Sequence, residues 1–209
     1  MKVSQVYQIY QTPKNLQGHQ ARTAALASII LESWTGVNLD KAAIVKACAV
    51  HDLAKPITFN LAKQAQFGMS EIEIKKLRQL QNELKAKYGN SEHQATIGIC
   101  KEVGCSQSVV RLVDNLEWSY LPRLLKANDF ESLIPIYCDM RIGPKGILLL
   151  RERLDDLKKR ANSDDFEDNV KNGQALEELI KKNVEINLDL ITEAQIEKRL
   201  KDLLDVEMM

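Results

Sequence analysis

Long hydrophobic runs are missing from this 209-residue chain. The densest, Ile147 to Leu150, is four residues long, against the roughly 20 that a membrane-spanning helix needs. The N-terminus, Met1-Lys2-Val3-Ser4-Gln5, carries no hydrophobic signal core. The expectation is a cytoplasmic protein with no membrane partner. An excess of charge of one sign is missing too: 29 Lys and Arg balance 29 Asp and Glu. Bulk electrostatics therefore gives no drive toward nucleic acid or an anionic surface, and nucleic acid is not the expected partner. Aromatic residues are only 5% of the chain. Trp34 and Trp118 read as plugs at helix ends rather than as base-stacking platforms. The basic run Lys75-Lys76-x-Arg78, with Lys85 and Lys87, has no interleaved aromatic before Tyr88 and reads as a solvated helix face. The four cysteines, Cys48, Cys100, Cys105 and Cys138, do not read as a disulfide framework in a chain of this size; none forms a C-x-x-C pair, Cys100 and Cys105 lack the close spacing of a zinc knuckle, and buried reduced thiols are expected.

What is present is helical punctuation. Lys14 to Ser33 carries apolar residues at three- and four-residue spacings and ends before Gly36. Asn38 is read as the cap of a second helix from Leu39 to about Ala54, stopped by Pro56. Ser70-x-x-Glu73 is a capping box that opens a helix to Tyr88, with Gly89 beyond its end. Further segments start at Asn90, Ser106 and Asp129, the last reaching Arg141 and tolerating Pro135 in its first turns. Gly143-Pro144 breaks the chain before a helix from Lys145 to about Arg160, and Asn162-Ser163-Asp164-Asp165 breaks it again. Phe166 to Val184 and Thr192 to Asp205 complete the pattern. No stretch shows sustained period-two alternation. The fold class expected is all-α, a single globular bundle of seven to nine helices. Residues 1–162 form the main domain, and residues 163–209 a helical extension packed on it or mediating self-association as a homodimer.

Histidine is the scarcest chemical resource, with only His19, His51 and His93. His51-Asp52 lies near the end of the second expected helix, after its Ala-rich stretch Lys41 to Val50, and so sets an ionisable carboxylate among apolar neighbours. Such a charge is costly to bury unless it is paired or bound to a cation.

His19, His51-Asp52 and Asp139, in that order on an all-helical chain, resemble the HD-domain superfamily of metal-dependent phosphohydrolases. The resemblance spans roughly residues 10–160 in three blocks: Thr12 to Ala27 around His19 and Arg22; Ala47 to Pro56 around His51, Asp52 and Lys55; and Tyr137 to Gly143 followed by Leu149 to Arg153. It implies one divalent metal ion (Mn, Fe, Co, Ni, Mg or Zn) held by His19, His51, Asp52 and Asp139. Two nitrogens and two oxygens suit such an ion and leave positions for water and a substrate oxygen. These ligands can meet only if three helices pack face to face.

Asp52 is expected to have a second, catalytic role in orienting the attacking water. Lys55 shares the helical face of His51 and Asp52 and is expected to bind substrate phosphate and assist catalysis. Arg22, three residues after His19, and Arg141, two after Asp139, are expected substrate-binding residues. His93 is a candidate proton donor to the leaving oxygen. Dinuclear members of the superfamily use two more histidines between the His-Asp pair and the last aspartate, and this chain has one. The activity implied is hydrolysis of a phosphomonoester of a nucleotide or other small metabolite. The alternatives are a phosphodiesterase acting on a cyclic nucleotide or an RNA end, and a non-catalytic helical module that binds metal or nucleotide.

Overall fold

A computed structural model describes residues 1–144, 146–161 and 166–208. Eleven α-helices occur among them: α1 (Val3–Ile9), α2 (Lys14–Glu32), α3 (Lys41–Val50), α4 (Glu71–Tyr88), α5 (Glu92–Glu102), α6 (Gln107–Asn115), α7 (Leu121–Ala127), α8 (Phe130–Arg141), α9 (Leu150–Ala161), α10 (Phe166–Lys181) and α11 (Glu193–Leu204). The fold is all-α, and the only sheet among these residues is the two-residue pair β1 (Ile142–Gly143) and β2 (Gly146–Ile147), antiparallel with Ile142 opposite Ile147. None of the described helices is long and apolar enough to cross a membrane.

The count exceeds the expected seven to nine because α1 and α7 are seven residues each, too short to show a period. Isolated helices of that length are not stable in water, so tertiary contact holds them. Val3, Val6 and Tyr7 of α1 are buried, as are Leu121 and Leu124 of α7.

Local chemistry explains most boundaries. Ser70, Ser106, Asp129 and Thr192 each accept a hydrogen bond from a backbone N–H of the helix they open. Gly89 ends α4 at a φ of 84° and Gly104 follows α5 at 78°, backbone that a side chain disfavours. Two boundaries differ from expectation. Asp40, not Asn38, caps α3, its side chain accepting from the Ala43 N–H at 3.0 Å. α3 also stops at Val50 instead of running to Ala54. Pro56 has no N–H to continue the α-pattern, and the Asp52 carbonyl is taken at 2.9 Å by the Lys55 N–H in the tighter i to i+3 manner. A 3₁₀ turn over Lys55–Thr58 follows. The expected helix after Gly143-Pro144 starts at Leu150, because β2 intervenes. Its expected first residue, Lys145, and the expected break at residues 162–165 lie outside the described residues.

α2, α3 and α8 pack against one another and form the centre of the molecule. Ala24, Ala25 and Ala27 of α2 and Ala43, Ala47 and Cys48 of α3 are buried, and such small side chains let helix backbones approach closely. The C-terminal segment belongs to the same core: Leu176, Ile180, Ile196, Leu203 and Met208 lie in one continuous cluster with Ile30 and Ile44. α10 lies on α7, α8 and α9, while α11 runs along α2. The termini are tied together, with the Val3 N–H donating to Val206 O at 3.0 Å and the Met208 N–H to Met1 O at 2.8 Å. Trp34 stacks edge-on against Phe130 at 5.1 Å in the core. Trp118 is half-buried and donates to Asn169 Oδ1 at 2.9 Å. Lys75, Lys76 and Arg78 are exposed on α4, and Cys48, Cys100 and Cys138 are buried free thiols.

Gly146 is a hairpin position whose backbone favours glycine. Its φ is 120°, and a Cβ there would stand 2.5 Å from Glu193 Oε2. Gly146→Ala should cost about 1–3 kcal/mol, the usual range for strained backbone. A urea titration that leaves the unfolding midpoint unchanged would contradict this.

Candidate metal centre

The three central helices bring His19, His51 and Asp139 together. Each offers one ligand atom, and these atoms lie within 4.8 Å of one another. His19 sits in the second turn of α2, on a stripe that is only part-buried, and Asp139 in the last turn of α8. His51 is the first residue past α3 and retains helical dihedrals, φ −60° and ψ −25°. Its Nδ1 donates to the Cys48 carbonyl at 2.8 Å. That bond holds the ring and directs the other nitrogen, Nε2, at the cluster, the arrangement that orients metal-ligating histidines generally.

His51 Nε2 is the informative atom. It is buried and has no hydrogen-bond partner among the described residues. Asp139 Oδ1 is 3.4 Å away, but without hydrogen-bond alignment. Buried polar atoms are nearly always partnered, and an exception calls for an explanation. A cation between His51 Nε2, His19 Nε2 and Asp139 Oδ1 would supply one. His19 Nε2 is 2.8 Å from Asp139 Oδ1, and the two imidazole rings meet edge-on at 5.3 Å. Two imidazoles and a carboxylate are a donor set for divalent first-row metals. The residues present fit such an ion.

Electrostatics tells the same story. Burial pulls the His51 pKa down, but the charges of Asp52 and then Asp139 more than reverse this and lift it to about 10. Burial likewise pushes Asp139 up, and His19 and His51 together overcome it, holding the carboxyl well below the usual range. Two histidines around an ionised aspartate are a site with a strong preference for local positive charge.

Asp52 stands beside the three-residue cluster rather than within it. Its Oδ2 is 3.8 Å from His51 Nε2, its Oδ1 is 3.9 Å from Lys55 Nζ, and its N–H donates to Gln20 Oε1 at 3.0 Å. Beyond it opens a polar pocket of about 140 Å³, lined by His51, Asp52, Lys55, His93, Thr96 and Asp139 among others. Lys55 is therefore in the pocket wall, but its ammonium already holds Glu92 Oε1 at 2.7 Å. Burial lowers its pKa, and the Asp52 and Glu92 carboxylates outweigh that and raise it. His93 also lines the pocket. Its Nδ1 is 3.0 Å from Glu117 Oε1 and its Nε2 is 3.2 Å from Asp114 Oδ1.

The two expected arginines are placed differently. Arg22 does not line the pocket: its Nε donates to Glu193 Oε1 at 2.6 Å and ties α2 to α11. The other Glu193 oxygen accepts from the Ile147 N–H at 3.0 Å. Arg141 is corrected outright as a substrate-binding residue. It is 1% exposed, and its guanidinium donates to the Leu148 carbonyl, to Tyr137 Oη and, at 3.1 Å, to the Leu188 carbonyl. Residues two apart on a helix do not share a face, so Arg141 turns away from Asp139 and into the packing with the C-terminal segment.

Gln20, Glu92, Asp114, Glu117 and Glu193 were not legible as site residues. Each acts through a partner 21 to 171 residues away in sequence, and only Glu92 and Gln20 carried any signal, by sitting next to a histidine. No family model, curated protein or solved structure matches the chain.

Proposed function

We propose that the protein is a metal-dependent phosphohydrolase of the HD-domain type, acting on a phosphomonoester of a nucleotide or other small metabolite. The observation that carries this reading is the buried Nε2 of His51, which makes no aligned hydrogen bond among the described residues and is held toward His19 and Asp139 by the Cys48 carbonyl. His19, His51 and Asp139 would hold one divalent ion, and Asp52, whose Oδ2 stands beside the cluster 3.8 Å from His51 Nε2, would turn in as the fourth ligand; Mn, Fe, Co, Ni, Mg and Zn all suit this set. The chemistry such an ion supplies when bound is acidification of a water and polarisation of a phosphoryl oxygen.

The chain's own residues do the rest. Asp52, anchored through its N–H by Gln20, orients the attacking water with the carboxylate oxygen nearer the pocket. Lys55 sits between Asp52 and Glu92 and meets the phosphate as it arrives, exchanging one carboxylate partner for a phosphoryl oxygen. His93, braced on both sides by carboxylates, hands a proton to the leaving oxygen. Four carboxyl groups, those of Asp52, Glu92, Glu117 and Asp139, stand around Lys55, His51 and His93 in this pocket, and a bound cation would offset their charge before a phosphate enters.

The test is hydrolysis of nitrophenyl phosphate beside bis-nitrophenyl phosphate, with Mn²⁺, Co²⁺, Ni²⁺ and Mg²⁺ supplied in turn. Turnover of the monoester is expected. Turnover of the diester alone would replace the reading with a phosphodiesterase, and turnover of neither by metal-loaded protein would replace it with a binding module. Lys55→Ala should raise KM about tenfold or more while the protein keeps its metal, since removing one charged hydrogen-bond partner costs about 1.5–3 kcal/mol. Loss of metal from that variant would contradict the role given to Lys55.

A further inference from the structure

We propose that a second cleft, between the start of α2 and the start of α4, receives the nucleobase of a nucleotide substrate whose phosphate lies at the metal centre. The phosphate end of this inference rests on the phosphohydrolase reading; the base site itself does not. The need for a second compartment follows from size. The polar pocket beside Asp52 is about 140 Å³, whereas small-molecule sites run to about 300–1,000 Å³. It accepts a phosphate and little more, so the organic part of any nucleotide must lie elsewhere.

The cleft is about 390 Å³ and its surface is mostly apolar. Leu77 and Leu80 of α4, with Met69, form one wall, and Pro13 stands on the other. A thioether and two leucines make a surface that adapts to a flat ring. The rim carries the amides of Gln11 and Asn15, both exposed, each with a donor and an acceptor for the edge of a base. The Glu73 carboxylate also borders the cleft, but it is committed to Ser70, accepting from its N–H at 2.8 Å and its hydroxyl at 2.7 Å. Lys14 and Lys76 border the cleft too, and both face the Glu73 carboxylate, so the charges there largely offset one another, which suits an uncharged base.

Position relative to the metal centre completes the case. Asn15 and His19 are four residues apart on the same accessible stripe of α2, one turn or about 6 Å along the helix. The larger groove of about 900 Å³ beside α11 is the wrong place: it is bordered by Glu32, Glu185 and Asp202, and Ile29 on its wall is ten residues, about 15 Å, along α2 from His19. Lys198 and Arg199 border it as well, Arg199 paired with Glu32, so its distance along α2 rather than its charge sets it apart.

The experiment is a methyl NMR titration of the full chain with adenosine, guanosine, cytidine and uridine, none of which carries a phosphate. Saturable shifts of the Met69, Leu77 and Leu80 methyls are expected with at least one of them. Lys76→Trp, which plugs the cleft from an exposed position, should abolish those shifts, and Asn15→Trp should do so from the facing wall. The ratio of kcat/KM on that nucleoside's 5′-monophosphate to kcat/KM on methyl phosphate should fall at least tenfold in either variant. Absence of methyl shifts at millimolar nucleoside, or shifts that survive both tryptophans, would overturn the base site. Nucleoside shifts without any phosphatase activity would uphold the base site and sink the hydrolase reading instead.

Discussion

Asp139→Asn should strip the protein of its metal. The aspartate is the one anionic member of the three-residue cluster, and its Oδ1 lies 2.8 Å from His19 Nε2 and 3.4 Å from His51 Nε2. Asparagine keeps the shape and removes the charge that both imidazoles face. Loss of an outer partner of a ligand commonly costs about 10–100-fold in metal affinity, so removal of a ligand's charge is expected to cost more than about a hundredfold. On the proposed phosphohydrolase reading, hydrolysis falls to background with it, and excess Mn²⁺ restores only a part. Isothermal titration with Mn²⁺ or Co²⁺ reads the affinity directly. An unchanged affinity would mean that the ion, if any, binds elsewhere.

The largest stability effect is expected at Arg141, where the sequence pointed to substrate. Arg141→Ala takes the side-chain donor from the Leu148 carbonyl, while the Leu188 carbonyl keeps the Ile191 N–H at 3.5 Å and Tyr137 Oη still donates to Glu177 Oε1 at 3.3 Å; a buried polar group left unpaired costs about 1–3 kcal/mol. It also empties a fully buried volume between α8 and the C-terminal segment. The sum expected is about 3 kcal/mol or more, which in a chain of this length lowers Tm by roughly 6–12 °C. Arg141→Lys should recover only a fraction, because an ammonium cannot reproduce the planar fork that reaches three acceptors. A normal Tm with a weakened KM in Arg141→Ala would restore the substrate-binding role that the burial of this side chain argues against.

These two residues show which features the sequence made legible. Helix starts could be read because capping is local: Ser70, Ser106, Asp129 and Thr192 each bond a backbone N–H three residues on, and the residue types announce it. Helix stops at glycine were legible for the same reason. The meeting of His19, His51 and Asp139 was suggested by order along the chain and by the family likeness, since nothing local specifies that positions 19 and 139 approach to 2.8 Å. Arg141 was misread because proximity in sequence was taken for proximity in space, where the helical screw sends it the other way. The carboxylates around Lys55 and His93 were invisible because Glu92, Asp114 and Glu117 look like ordinary surface acids until α5, α6 and the turn after α6 are packed. The C-terminal segment was legible in part: its thin apolar stripe allowed packing on the main domain or self-association, and Leu176, Ile180, Ile196 and Leu203 lie in the common core.

Elemental analysis of protein purified without chelator, read as divalent metal atoms per chain beside a His51→Ala control, addresses the centre most directly. Close to one atom per chain in the parent and close to none in the control is the expected result. No metal in either, or the same content in both, would contradict a metal centre built on His19, His51 and Asp139.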